Sequence, residues 1–204
     1  MQLQPRDDHV NLLEQPNRPH ERADAARNRA RVLEAADRLF ASGDPRSVTM
    51  EDIARAAGVG RATLYRRYPD VGSVAVALLD EHERRLQEKL IYGPPPLGPG
   101  ATPAARLTAF YAEMVELLDH HLHLHLGAEV DRSRLDTGAY RFWRMHVRTL
   151  VKASGAGDPE TLADILMAPL APDVYRFQRD EIGLSEQDVT DALALLANRM
   201  LASR

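Results

Sequence analysis

The sequence predicts an all-α chain, and three observations predict it. Apolar residues recur at i, i+3, i+4 and i+7 in one segment after another. Clusters of glycine and proline punctuate those segments, at Ser42-Gly43-Asp44-Pro45, across residues 93–100 and at Gly155-Ala156-Gly157. No stretch alternates with the period of two that a half-buried strand requires, and no internal repeat is present.

Residues 1–22 carry Pro5, Pro16 and Pro19 and no periodicity, so they read as a flexible N-terminal arm, with structure beginning near Ala23. Ala30, Leu33, Ala36 and Phe40 then mark a first helix. Thr49 stands where an N-cap belongs, Asp52 three residues on completes a capping pair, and Met50, Ile53, Ala54 and Ala57 form the stripe of a short second helix. Gly58 suits the left-handed turn that closes it, Val59 is expected to drop into the core, and Arg61 to Tyr68 fit another short helix stopped by Pro69.

Val71, Val74, Ala75, Leu78, Leu79, His82, Leu86 and Leu90 hold a longer stripe. Thr102-Pro103 opens the next helix, with Leu107, Tyr111, Met114, Leu118, His121 and His125 on one face; it ends at Gly127 or breaks earlier, near His120. Tyr140, Trp143, Val147, Leu150 and Val151 mark a further helix. Asp158-Pro159 caps one that Pro169 and Pro172 must interrupt, and Ser185 with Asp188 starts the last, whose Val189, Leu193, Leu196 and Met200 face one side.

Composition narrows function. The 204 residues contain no cysteine, which removes disulfide frameworks, thiol nucleophiles and cysteine-ligated metal centres. No apolar run approaches the roughly 20 residues of a membrane span, and the N-terminus lacks the pattern of a secretion signal, so a cytoplasmic protein without membrane contact is expected. The net charge of −4 hides an asymmetry: residues 22–68 hold ten arginines against six acids, whereas residues 69–204 hold fourteen basic residues against twenty acids. A basic module followed by an acidic one points to a polyanionic partner for the first.

The stretch TMEDIARAAGVGRATLYRRYP, residues 49–69, carries the sharpest signal. Two short helices joined by a glycine turn place the second across the DNA major groove, where all four base pairs are distinguishable. Residues 26–92 resemble the TetR/AcrR-like family of one-component transcriptional regulators. The resemblance implies a helix-turn-helix DNA-binding domain over 23–69, joined by a linker helix to a helical effector-binding and dimerisation domain over 70–204. It implies that Arg61, Ala62, Thr63, Tyr65 and Arg66 face the groove, that Thr49 and Arg67 meet phosphates, and that Leu64 and Val59 are core. Arg61 and Arg66 are the candidates for bidentate guanine recognition. The sequence departs from the family after Tyr68-Pro69-Asp70, where Val71 stands in place of a customary lysine; Arg18 and Arg22 are the candidates to replace that phosphate contact.

The same resemblance implies a homodimer on a palindromic operator, released when a small molecule enters the larger domain and tilts the linker helix. Candidate effector-pocket residues are Phe110, Tyr111, Met114, Leu118, His121, His125, Trp143 and His146, although ordinary core packing is the favoured role for Phe110, Tyr111, Met114 and Trp143. Met145 is a further candidate, and Arg141, Arg144 and Arg148 read as a solvated face. Leu162, Ile165, Leu166, Tyr175, Leu193, Leu196 and Met200 are the candidate dimer contacts. His121 and His125 lie one turn apart, the spacing of a shared metal ion, so a metal-sensing repressor stands as the alternative. A metal-dependent enzyme on His120–His125 is remoter, because no nucleophile–base pair or phosphate loop accompanies the histidines. No enzymatic activity and no cofactor are expected.

Overall fold

The computed structural model describes residues 18–42, 47–128 and 138–202, with side chains at all of these except 18–22 and 121–128. Every regular element among them is helical. The chain divides into two compact units, Met1–Val71 and Gly72–Arg204.

In the first unit, α1 (Arg18–Ala41) packs against α2 (Met50–Ala57), which meets α3 (Arg61–Arg67). α1 begins at Arg18 rather than near Ala23. The reason is local: Pro19 falls in the first turn, where a missing N–H breaks no intrahelical bond, so it starts a helix instead of preventing one. The core of the unit is Val32, Leu33, Ala36 and Phe40 of α1, Met50, Ile53, Ala54 and Ala57 of α2, and Leu64 of α3, all buried. Ile53 and Leu64 are among the most completely enclosed side chains, and each contributes on the order of 1.5–3 kcal/mol by leaving water.

α2 is closed at both ends by its own sequence. The Thr49 hydroxyl accepts from the Asp52 N–H (3.2 Å) while the Asp52 carboxylate accepts from the Thr49 N–H (3.2 Å). At the other end Gly58 sits at φ 61°, and the Gly58 and Val59 N–H groups donate to the Arg55 and Ala54 carbonyls at 3.2 and 3.1 Å. Val59 is half-buried rather than a core residue.

In the second unit α4 (Val71–Tyr92) and a Pro/Gly-rich connection lead into α5 (Pro103–Ala128), then α6 (Gly138–Ser154) and α7 (Pro159–Met167). A 3-10 turn (Ala168–Leu170), α8 (Pro172–Phe177), a π turn (Gln178–Ile182) and α9 (Glu186–Leu201) complete it. α5 is central, packing on α6 and α9, while α6 packs on α7. It does not break near His120: nothing between Pro103 and Gly127 removes a backbone donor. Pro169 and Pro172 interrupt the polypeptide after α7, and Asp158 and Ser185 cap α7 and α9 through the Thr161 and Asp188 N–H groups.

Long-range polar bonds fasten this unit. The Tyr111 hydroxyl donates to the Leu166 carbonyl (2.9 Å), tying α5 to α7. Arg106 donates to the Leu97 and Leu90 carbonyls at 3.3 and 3.1 Å, holding the end of α4 and the connection that follows. Asp119 accepts from the Tyr175 hydroxyl (2.7 Å) and from Arg179 Nε (3.0 Å), so one carboxylate joins α5, α8 and the π turn.

Arg144 departs from the expected solvated face. Its guanidinium grips Asp164 (2.6 and 3.0 Å) and Glu160 (3.1 Å), pinning α6 to α7, and those bonds raise its pKa above the ordinary guanidinium value. Arg148 also pairs with Glu160. Helical spacing showed the arginines sharing a face but not the acidic edge of α7 opposite them.

Candidate nucleic-acid interface

The α2–turn–α3 segment positions its side chains through its one buried residue. Leu64 anchors α3 to the core, so on a helix of 3.6 residues per turn Ala62 and Arg66 point directly away from it, with Arg61 and Tyr65 on one flank and Thr63 and Arg67 on the other. All six are exposed, as is Thr49. The sequence-predicted set therefore comes together on one surface, while Leu64 turns inward as expected.

Charge on this surface is organised. Arg61 Nη1 lies 3.6 Å from Glu51 Oε1, which orients it from the first turn of α2. The Thr49 hydroxyl lies 2.5 Å from Asp52 Oδ2; its hydrogen bond and that of the Thr49 backbone hold the Asp52 carboxyl below the usual range. Arg67 places its guanidinium carbon 5.9 Å from the Tyr68 ring centroid. Arg31 of α1 donates to the Gly58 carbonyl (3.1 Å), bracing the turn from behind; a Cβ on Gly58 would lie 2.5 Å from Arg31 Nη2.

Sequence reasoning missed a second feature. A cleft of about 390 Å³ separates α1 from α3, with Asn28 and Arg29 on one side and Thr63, Arg66 and Arg67 on the other. Tyr68 forms part of its wall; the residue is 5% exposed and its hydroxyl is buried with no hydrogen-bond partner among the described residues. The excess of arginine over residues 22–68 signalled a basic unit, but not that α1 and α3 share a basic cleft.

In the second unit Phe110, Tyr111, Met114, Leu118, Trp143 and His146 are all buried, and the apolar ones belong to a single core cluster. The Phe110 ring lies 5.9 Å from Trp143 and 5.4 Å from His146. His146 Nε2 is buried without a hydrogen-bond partner among the described residues, and burial, then the Arg106 charge, push the imidazole pKa down to about 4. Met145 points away from this cluster and is 53% exposed. The side chains of His121 and His125, and with them the metal reading, lie outside the described residues. So do those of Arg18 and Arg22, whose backbone belongs to α1.

The expected dimer contacts divide. Leu166, Tyr175 and Leu193 are consumed by the chain's own core, leaving no surface for a partner, because helical periodicity gives an apolar face without saying what covers it. Leu162, Leu196 and Met200 are half-buried against that core and Ile165 is exposed.

The profile described as bacterial regulatory proteins, tetR family, matches residues 32–70, the stretch from the core of α1 through α3. The chain belongs to the TetR-like family of bacterial regulators. A helix-turn-helix transcriptional regulator of Mycobacterium tuberculosis is 43% identical over 61 residues, 30% of this chain and 30% of the relative. The chain thus matches less than a third of the length of its mycobacterial relatives. The helix-turn-helix transcriptional repressor DrrR1 of Streptomyces coeruleorubidus is 31% identical over 138 residues, 67% of this chain and 48% of the relative.

Solved structures share the TetR-like fold across most of the chain. A transcriptional regulator of Saccharomonospora viridis, crystallised with choline, aligns with a TM-score of 0.69 at 18% identity, covering 89% of this chain and all of its own. A TetR-family regulator of Rhodococcus aligns with a TM-score of 0.60 at 19% identity, over 87% and 100%. These relatives are named as regulators of transcription, not as enzymes.

Proposed function

We propose that the chain is a one-component transcriptional repressor that binds a palindromic operator as a homodimer and is released by a small-molecule effector held in the second unit. The observation that carries the reading is α3 itself: a seven-residue helix, anchored by Leu64, whose remaining side chains include three exposed arginines. Such a helix fits a major groove about 12 Å wide, and two of them related by a twofold axis would read half-sites about 34–36 Å apart.

Arg61 and Arg66 supply the base readout in this reading, and Thr49 and Arg67 the backbone contacts. The repressor named among the relatives supports the sign of regulation, and the choline-bound neighbour supports a small ligand in this fold. The Phe110, Trp143 and His146 cluster is where the effector is placed. The exposed apolar side chains of α7, α8 and α9, Ile165, Phe177 and Leu195, are where the partner subunit is placed.

The test is a binding titration of the full chain against the DNA flanking its own gene and an unrelated duplex of equal length. A preference for the flanking DNA that falls by about five- to a hundredfold in Arg61→Ala or Arg66→Ala, matching a bidentate contact of about 1–3 kcal/mol, supports the reading. Equal affinity of the unaltered chain for both duplexes at every salt concentration overturns it.

A further inference from the structure

Arg61 is held from outside its own helix. Glu51, in the first turn of α2, places Oε1 3.6 Å from Nη1 of Arg61, the first residue of α3, and the two side chains stay 38% and 69% exposed. Glu51 takes no part in the cap of α2, which Thr49 and Asp52 close between themselves. Arg66 and Arg67 have no carboxylate partner among the described residues, so the pairing singles out one arginine of the three in α3. An exposed ion pair of this kind adds little to folding. On a surface that meets a polyanion the carboxylate also carries a cost, because it repels phosphates. Stability therefore does not account for an acid at this place; its physical effect falls on the arginine.

We infer that Glu51 is a positioning residue that determines specificity: it holds the Arg61 guanidinium toward a guanine edge and disfavours its settling on a phosphate. This rests on the reading that α3 enters the major groove. The first residues of a reading helix are those that meet base edges, and Arg61 opens α3. A guanidinium presents five donors in a planar fork, so one edge can face Glu51 while another meets O6 and N7 of guanine. Arginine has many rotamers, and ordering it before contact lowers the entropy lost on binding. The carboxylate also acts differently on the two kinds of complex. Guanine O6 and N7 are uncharged acceptors that Glu51 does not repel, whereas a phosphate drawn to Arg61 would come close to a second anion. Specificity is a difference between affinities, so a group that weakens the wrong complex sharpens it as surely as one that strengthens the right complex. Within the groove, where water is displaced, both effects are screened less than in free solution.

The test uses the full chain with two duplexes, the gene-flanking fragment and an unrelated sequence of equal length, titrated from low to moderate salt. Glu51→Gln is expected to bind the unrelated duplex more tightly, with a slope of log K against log salt steeper by about 0.9, because the freed Arg61 settles on a phosphate. The preference for the flanking fragment should fall by about fivefold while the chain melts close to the unaltered temperature. Glu51→Asp keeps the charge but withdraws it by one methylene, and should lose preference as well, which a general effect of charge would not produce. In an Arg61→Ala background Glu51→Gln should leave the preference where Arg61→Ala alone puts it. Tighter binding to both duplexes by one factor, with the preference intact, would overturn the proposal and make Glu51 a simple repelling charge. An equal loss of preference in the Arg61→Ala background would overturn it too, since Glu51 would then read a base by itself. So would a large fall in melting temperature with both affinities lowered alike, which would make Glu51 a structural part of α2. Failure of the regulatory reading looks different: the unaltered chain would show no preference between the duplexes at any salt concentration, and the proposal would fall with it.

Discussion

Individual residues in this chain are set by burial as much as by partners. His146 is 9% exposed and its pKa is lowered to about 4, whereas an unfolded histidine titrates near 6.5. Between those values the unfolded chain binds the proton that the folded chain refuses, so stability falls as pH drops through this window and levels off below it. The shift corresponds to about 3 kcal/mol, and His146→Leu should flatten the acid limb of a urea-melt series by that order. Glu83 acts in the opposite sense. Burial, and then Asp80, raise its carboxyl to about 7, so its contribution is present below the usual carboxylate value and is lost as pH rises toward 7. The His146 effect is therefore read as a difference between variant and parent at each pH. Tyr111 tests a different cost: Tyr111→Phe leaves the Leu166 carbonyl without its donor and should destabilise the chain by about 1–2 kcal/mol, measured by thermal melting.

At the scale of elements, caps and stops explain where helices begin and end, and they were readable in advance because they are local. Thr49 with Asp52, Asp158 before Pro159, and Ser185 with Asp188 each satisfy backbone donors within three residues of themselves. Gly58 was readable for the same reason, since a left-handed residue must close α2 before α3 can turn away from it. Gly58→Ala should cost about 1–2 kcal/mol from the backbone conformation alone and loosen the Arg31 brace, visible as a lower melting temperature with a parallel loss of DNA affinity. What the sequence left hidden is whatever joins distant segments. The pairing of Arg144 with Asp164, the Asp119 junction of α5, α8 and the π turn, and the α1–α3 cleft all depend on which helix faces which. Pro19 misled for the converse reason: a residue that ends helices in their interior begins them in their first turn. The Arg144 pairs are also a caution about visible contacts, because Asp164 and Glu160 remain about half exposed. Arg144→Ala should cost under about 1 kcal/mol, a value a double-mutant cycle with Asp164→Ala would check.

Over the whole molecule, the proposed release by an effector is a statement about linked binding equilibria. Whatever factor by which an effector weakens operator affinity, operator DNA must weaken effector affinity by the same factor. The proposed operator recognition also calls for a dimer, because one seven-residue helix reads too few base pairs to single out a site. Leu166, Tyr175 and Leu193 are buried in the chain's own core, whereas Ile165, Val174, Phe177, Ile182 and Leu195 keep exposed apolar surface on which the proposed interface can draw. Leu195→Glu should shift the sedimentation coefficient toward that of a single chain and weaken binding to inverted repeats more than to half-sites.

If α3 lies in the major groove with its arginines on base edges, methylation of guanine N7 on the gene-flanking fragment must interfere with binding, since N7 lies in that groove. Two interfering guanine clusters are expected, symmetric about an inverted repeat and one helical turn apart, that fade in Arg61→Ala or Arg66→Ala. Binding that is indifferent to methylation at every guanine would contradict it.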